Sequence, residues 1–365
     1  MRNILVTILL SATCAFIAKA GETVPDDTLA KGQNSKFLAF PFVLRSPETS
    51  WGFGLASAYF FKAKLDDKDI RTSDVNLISL YTLKKQLVVV LGSTVYFPKE
   101  NYIFRWQSSY SYYPDKFWGI GNGTKYSSEE KYSIKQFYFN PQFLARLYKK
   151  LYIGGNAEYQ SVSDFNYTPG GVFDAQEIVG RYGGSASGLG FLVTLDTRNN
   201  AYSPSKGGFV EFNLTRFDSK FGSDFNFTYY SLELKKFYRI GVNRVLAVQL
   251  YGKANAGEVP IRNLSMLGGS EMMRGFYKGR YADKNMFATQ AEIRQYLFWR
   301  IGVVAFAGSG QVSNSFNDLR WDRMHFSYGG GLRLMVQEKE KLNLRIDYGI
   351  GEGRSGVYVI LKEAF

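Results

Sequence analysis

Few residues of this 365-residue chain are equipped for chemistry, and one sits in an unusual setting: Arg274, within GGSEMMRGFYKGRYADKN at 268–285. A guanidinium between Met273 and the pair Gly275-Phe276, inside an otherwise polar, glycine-rich loop, suits the holding of planar, charge-assisted partners more than acid–base work. The catalytic alternatives are thin. The single histidine, His325, has Ser327 two residues on. On a strand those two share a face and stand side by side, with Arg333 and glycines along the same wall, which suits a satisfied histidine better than a general base. No phosphate loop, paired metal-ligand motif or nucleotide fingerprint occurs, and GLG at 188–190 lies in a strand pattern with no helix following. No enzyme activity, cofactor or metal is expected.

The opening MRNILVTILLSATCAFIAKA reads as a cleaved secretory signal peptide at 1–20, with a basic Arg2, an apolar run and Ala18-Lys19-Ala20 before Gly21. Cys14, the one cysteine, lies inside it, so neither a disulfide framework nor a thiolate metal site is expected. Residues 21–36 read as a short polar periplasmic segment. The chain carries a net charge of +13, with 30 Phe and 26 Tyr. For a secreted chain the natural counter-charge is anionic lipid or glycolipid, here outer-membrane lipid and lipopolysaccharide, and not nucleic acid. An aromatic excess of this size suits membrane interfaces.

The elements that must position Arg274 show period-two alternation. In KLNLRIDYGI, Leu342, Leu344, Ile346 and Tyr348 share one face, while Asn343, Arg345 and Asp347 take the other. Sixteen such segments follow one another, at roughly 22 residues per strand with its connection, which suits membrane spans of about ten residues. The tenth shifts its parity between Tyr229 and Leu232, as a bulge would do. Even-to-odd connections are mostly short, at 98–100, 148–149, 298–299 and 337–340. The odd-to-even ones include long segments near 113–132, 161–183 and 257–285; the segment 62–73 is an exception. Short periplasmic turns and long outer loops have this asymmetry, and a soluble sandwich does not. The expected fold is all-β: a transmembrane antiparallel up-and-down β-barrel of about 16 strands spanning 37–365, its charged residues pointing inward. Phe365 closes an apolar-alternating segment.

MRGF then falls in the sixth outer loop, between the eleventh and twelfth strands, where it resembles the V-R-G-F/Y motif of the BamA/TamA-type outer-membrane assembly-factor superfamily, also called the bacterial surface antigen family. The surroundings agree: LGGSEMMRGF and GRYADKN precede ATQAEIR, GVVAFAGSGQV, YGGGLRL, LRIDYG and GVYVILKEAF in the family's order. LDTRNNAYSPSKGGFVEF resembles its hairpin between the eighth and ninth strands. The resemblance covers 184–365 by motif and the first half by strand pattern.

It implies that the sixth extracellular loop folds into the lumen, where Arg274 meets acidic residues of the next strands. Gly275 would let the backbone turn closely and Phe276 would anchor the loop. With Ala291 and Ile293 facing lipid, Gln290, Glu292 and Arg294 face the lumen, making Glu292 the natural partner of Arg274; Asp347 also faces inward but lies farther round the wall. One motif departs. Where the family reads F-x-D-x-G, this chain has Phe306, Gly308 and Gly310, so the expectation is that Arg274 relies on Glu292 alone. A second departure is the lead-in, which leaves no room for the family's periplasmic polypeptide-binding domains and suggests a barrel-only member.

The resemblance further implies a lateral seam between the first and last strands, with Pro41, Gly356 and Phe365 as its candidates. Pro41 donates no ladder hydrogen bond, which fits a weak seam and an ordinary bulge alike. The expected role is insertion, assembly or translocation of envelope proteins or lipids at the outer membrane, with an unfolded client and a periplasmic or lipoprotein partner. The alternative is a plugged pore or a structural barrel subunit of a larger complex.

Overall fold

The computed structural model describes residues 35–62, 70, 72–338 and 341–365. The expected signal peptide, residues 21–34 of the expected periplasmic segment and most of 62–73 lie outside the described residues.

Sixteen antiparallel strands close into a barrel in chain order. They are β1 Ser35–Ser46, β2 Ser50–Phe61, β3 Ser73–Thr82, β4 Leu87–Tyr96, β5 Tyr102–Phe117, β6 Glu130–Tyr148, β7 Leu151–Asn166, β8 Gly184–Asp196, β9 Gly207–Phe217, β10 Phe227–Arg239, β11 Arg244–Gly257, β14 Asn285–Phe298, β15 Ile301–Ser313, β16 His325–Gln337, β17 Leu342–Gly351 and β18 Arg354–Leu361. A two-stranded hairpin, β12 Ser265–Leu267 with β13 Tyr281–Asp283, lies inside the β11–β14 connection.

Closure follows from the solvent. Lipid offers no partners for backbone groups, so strands can cross only where every ladder finds a neighbour. Alternation then divides the side chains: Leu55, Phe139, Phe143, Ile293 and Tyr348 are exposed on the outside, while Gln290, Glu292 and Arg294 are buried inside. Among the described residues no helix is long and apolar enough to cross a membrane.

Strands β5, β6 and β7 run for 16, 19 and 16 residues, longer than a bilayer needs, and continue above it. The loops expected at 113–132 and 161–183 are correspondingly shorter. β10 has no bulge: its pairing with β9 and β11 is continuous. The apparent parity shift arises because Tyr229 faces inward, where its hydroxyl donates to Glu158 Oε2 at 3.2 Å, so an aromatic occupies a polar position.

The closing pair differs from its neighbours. β1 meets β2 from Ser35↔Phe61 to Ser46↔Ser50, yet meets β18 at one register pair, Arg45↔Val359. β18 ends at Leu361, and the chain turns away through Lys362, whose φ of 103° is a conformation that a side chain adopts only under constraint. Phe365 is therefore not on the closing strand. It lies inside the barrel with its ring 6.5 Å from that of Phe237.

Candidate functional site: a luminal loop and its charge network

The sixth outer loop folds back into the lumen and docks on β14–β18. Its floor is made by glycines at alternate, inward positions: Gly308 and Gly310 on β15, Gly329 and Gly331 on β16, Gly349 and Gly351 on β17. Each vacancy has an occupant. A Cβ on Gly349 would lie 2.6 Å from the carbonyl carbon of Arg274, one on Gly351 2.6 Å from the Phe276 ring, and one on Gly308 3.2 Å from Met273 Sδ. Gly275 presses against β17 with φ of 114°, and its N–H donates to Tyr358 Oη at 2.9 Å. Met273, Arg274 and Phe276 are all buried.

The guanidinium of Arg274 lies flat over Phe306, 3.5 Å from the ring centroid, between two carboxylates. Nη1 donates to Asp347 Oδ2 at 2.6 Å and Nη2 to Glu292 Oε1. Glu292 Oε2 accepts from Arg294 Nε at 2.9 Å. Asp347 also accepts from Arg333 Nη1 at 2.5 Å and from Arg345 Nη1 at 3.0 Å, while Arg345 Nη2 reaches back to the loop at Ser270 O, 2.8 Å. Glu363, just past β18, takes Arg333 Nε and Asn343 Nδ2, each at 2.7 Å, and Arg294 Nη2 donates to Phe365 O at 2.9 Å. Four guanidiniums and three carboxylates thus form one continuous buried lattice that ties the loop, the wall and the C-terminal residues together.

Charges this deep are tolerable only when paired. Glu292→Gln leaves Arg274 and Arg294 facing a neutral amide, and breaking such a pair costs about 3–5 kcal/mol. The expected outcome is faster protease cleavage within 268–285 and a lower temperature for heat-induced loss of the compact gel form. Unchanged cleavage and unchanged heat stability refute the pairing.

The expectation that Arg274 relies on Glu292 alone is corrected by this geometry. Asp347 is three strands away along the wall, but the wall curves, and the chord across the lumen is short enough for one guanidinium to bridge both acids. Gly308, in the position of the missing aspartate, makes room for Met273. His325 and Ser327 do not work together. His325 Nδ1 meets Glu352, its Nε2 lies 3.0 Å from Asn122 O, and its ring stacks on Tyr281 at 3.8 Å, whereas Ser327 Oγ points to Met273 Sδ at 3.7 Å. Gly356 is buried on β18 beside Pro47, and Pro41 pairs with Leu55 of β2.

The outer end of the loop spans the mouth. Lys278 N–H donates to Glu48 Oε1 at 2.7 Å and Tyr277 Oη donates to Asp115 Oδ1 at 2.8 Å. Burial first, and then the Asp115 charge, push the Tyr277 phenol well above its ordinary range, so it stays a donor. Arg280 is enclosed by Tyr126, Tyr281 and Trp118 and donates to Thr124 Oγ1 at 2.8 Å. Sequence reasoning placed Arg333 on the His325 wall without giving it a partner, and passed over Tyr358 and Glu363. The inward parity of β16 and β18, set beside Asn343, Arg345 and Asp347, was the signal for Arg333 and Tyr358, whereas Glu363 lies past the end of β18, where strand parity gives none.

A closed membrane-spanning barrel with its sixth outer loop locked in the lumen by a buried arginine defines a class, the outer-membrane barrels with an internal loop. Residues 82–351 match the Omp85 superfamily domain, and the chain belongs to that superfamily. Among solved structures, BamA from Haemophilus ducreyi lacking POTRA domains 1–3 matches with a TM-score of 0.60 at 13% identity, over 90% of this chain and 70% of that one. CdiB from Escherichia coli matches with 0.65 at 11% identity, over 92% and 64%, and CdiB from Acinetobacter baumannii with 0.59 at 12%, over 90% and 60%. At these identities the likeness is one of fold, and the chain spans less than two thirds of either CdiB chain. No curated protein matches.

Proposed function

We propose that this protein assists the insertion, assembly or translocation of envelope proteins or lipids at the outer membrane, with the β1–β18 seam as its working edge. One observation carries the reading: the closing strands share a single register pair while every neighbouring ladder is extensive. An incompletely paired edge in lipid is a template for an incoming strand, which main-chain hydrogen bonds would seat by β-augmentation. Glu363 and Phe365 support it, because their luminal partners hold the residues after β18 away from β1. Recruitment of an unfolded client would fall to a periplasmic or lipoprotein partner, and a cleaved signal peptide would take the chain across the inner membrane on its way to the outer one. The family's work is assembly and transport, with no enzymatic step called for. The buried lattice around Arg274 favours a second reading, a plugged or structural barrel within a larger complex.

The two separate when the seam is locked. Arg45→Cys with Val359→Cys, in a Cys14→Ser background, places cysteines on directly paired strand positions, within disulfide range. The oxidised lock is expected to fail, and the reduced form to succeed, in restoring the outer-membrane protein and lipid profile of a deletion strain. A lock that restores the profile as well as the parent does removes the seam reading and leaves the plugged barrel. Affinity purification from native membrane should also recover a stoichiometric periplasmic or lipoprotein partner.

A further inference from the structure

The inner wall has two halves of unlike chemistry. Between β5 and β11 its middle band is polar, with Arg105 Nη2 bonded to Glu211 Oε2 at 3.1 Å and Asn156, Glu158 and Gln249 along the same face, and the apolar residues above and below the band are buried in clusters of their own, such as Ile103, Leu144 and Leu192. Pairing carries this inward face onward from Gln107 to Gly92 of β4, Asn76 of β3, Ala58 of β2 and Leu38 of β1. There the chemistry changes. The inward residues become Phe40, Phe42 and Leu44 on β1, Ile78 and Leu80 on β3 and Val90 on β4, over the small residues of β2, where the Phe42 ring lies across Gly54.

None of these six side chains is buried, and Ile78 is 37% exposed. Lumen-facing positions in membrane barrels are ordinarily polar, and apolar area left to water costs roughly 25 cal/mol per Å². The docked loop has its floor on β14–β18 and meets the β1–β5 side at the rim, where Lys278 and Tyr277 bond Glu48 and Asp115 and the Tyr277 ring meets Lys84 and Trp118; none of these contacts falls on the six side chains. What lies next to the wall is bilayer. β1 is apolar on both faces, with Phe37, Ala39 and Pro41 exposed outward and Phe40, Phe42 and Leu44 inward. Between Phe37 and Leu44 the side chains are thus apolar on both faces of β1, and the surface is interrupted at its edge only by backbone groups and, above them, by Arg45 at the one register pair that closes it.

We propose that the apolar inner wall of β1–β4 binds an acyl chain of a membrane lipid that enters through the β1–β18 seam. The chain would lie along β1, β3 and β4, with the headgroup left in the polar half of the lumen. A lumen apolar on one side and polar on the other is matched to an amphiphile. The inference shares the seam with the reading above, but its readout needs no client, so either can fail alone.

The test uses the purified full-length protein in vesicles of phosphatidylcholine and phosphatidylethanolamine, with no other protein present. A photoreactive benzoylphenylalanine is placed at Ile78 inside the apolar half, at Leu77 on the lipid face, or at Gln142 inside the polar half. Each is combined with Arg45→Cys and Val359→Cys in the Cys14→Ser background, and compact gel migration confirms folding. The expected result is a phospholipid adduct by mass spectrometry at Leu77 in every state and none at Gln142. At Ile78 the adduct should appear when the seam is reduced, disappear when it is oxidised and return with reductant. Absence of lipid at Ile78 while Leu77 is labelled overturns the proposal, as does an adduct at Ile78 that persists in the oxidised barrel or one formed only with the protein's own chain.

Discussion

Asp347→Asn is expected to cost this barrel several kcal/mol of stability, on the order of a broken buried ion pair or more. The carboxylate is fully buried and receives three guanidiniums, from Arg274, Arg333 and Arg345, at 2.6, 2.5 and 3.0 Å. An amide keeps the shape but loses the charge, and its NH2 turns a donor toward donors. Breaking a buried ion pair costs about 3–5 kcal/mol, and here three are touched at once, with Glu292 and Glu363 left to balance four arginines. The expected result is a large drop in the temperature at which the compact gel form is lost, accompanied by protease access to 268–285. Arg345 has Asp347 as its one close carboxylate in this network, so adding Arg345→Gln should recover part of the loss. If the single and double variants melt alike, the lattice is not a coupled unit.

The second large effect is steric. Gly275 holds φ of 114°, and a Cβ there would sit 2.5 Å from the carbonyl carbon of Ile350 and 2.7 Å from the nitrogen of Gly351. The obstacle is β17 backbone, which cannot rotate aside as a side chain can. Strain at such a φ alone costs about 1–3 kcal/mol for a residue with a side chain, and a β-branched one fares worst. Gly275→Val should therefore expel MRGF from its glycine floor while leaving the wall strands paired. In a planar bilayer this appears as conductance well above that of the parent, and in solution as cleavage near Arg274 without loss of the barrel gel form. Parental conductance together with parental protease resistance means that the loop docks by some route other than Gly275.

How much of this could be read in advance depends on whether the information is local. The inward parity of Glu292 follows from its own strand, since Ala291 and Ile293 belong on a lipid face. The reach of Asp347 does not, because a string of strands carries separation along the wall and not the chord across it. The alternating glycines at 308 and 310, 329 and 331, 349 and 351 were visible, yet Gly308 read as a missing acid; only the folded loop shows that the vacancy takes Met273. The segment EAF continues the apolar alternation of the last strand and reads as more strand. Its departure into the lumen is set by Arg333, Asn343 and Phe237, all remote in sequence. The segment FLAFPFVL is apolar at every position, so alternation could not orient β1 or reveal that its inner face is as oily as its outer one.

The early end of β18 bears on the membrane as well as on the protein. A transmembrane strand needs about 9–11 residues, and β18 has 8, while β6 on the far side of the barrel has 19. Of the sixteen strands β18 alone is shorter than a span, and it stands beside β1 with its 12 residues. Lipids meeting a wall shorter than their own hydrocarbon thickness must compress, at a cost of fractions of a kcal/mol for each ångström of mismatch. The bilayer should be thinned in one sector and near its resting depth elsewhere, so that a segment crossing beside β18 has less hydrocarbon to traverse than at any other point on the circumference.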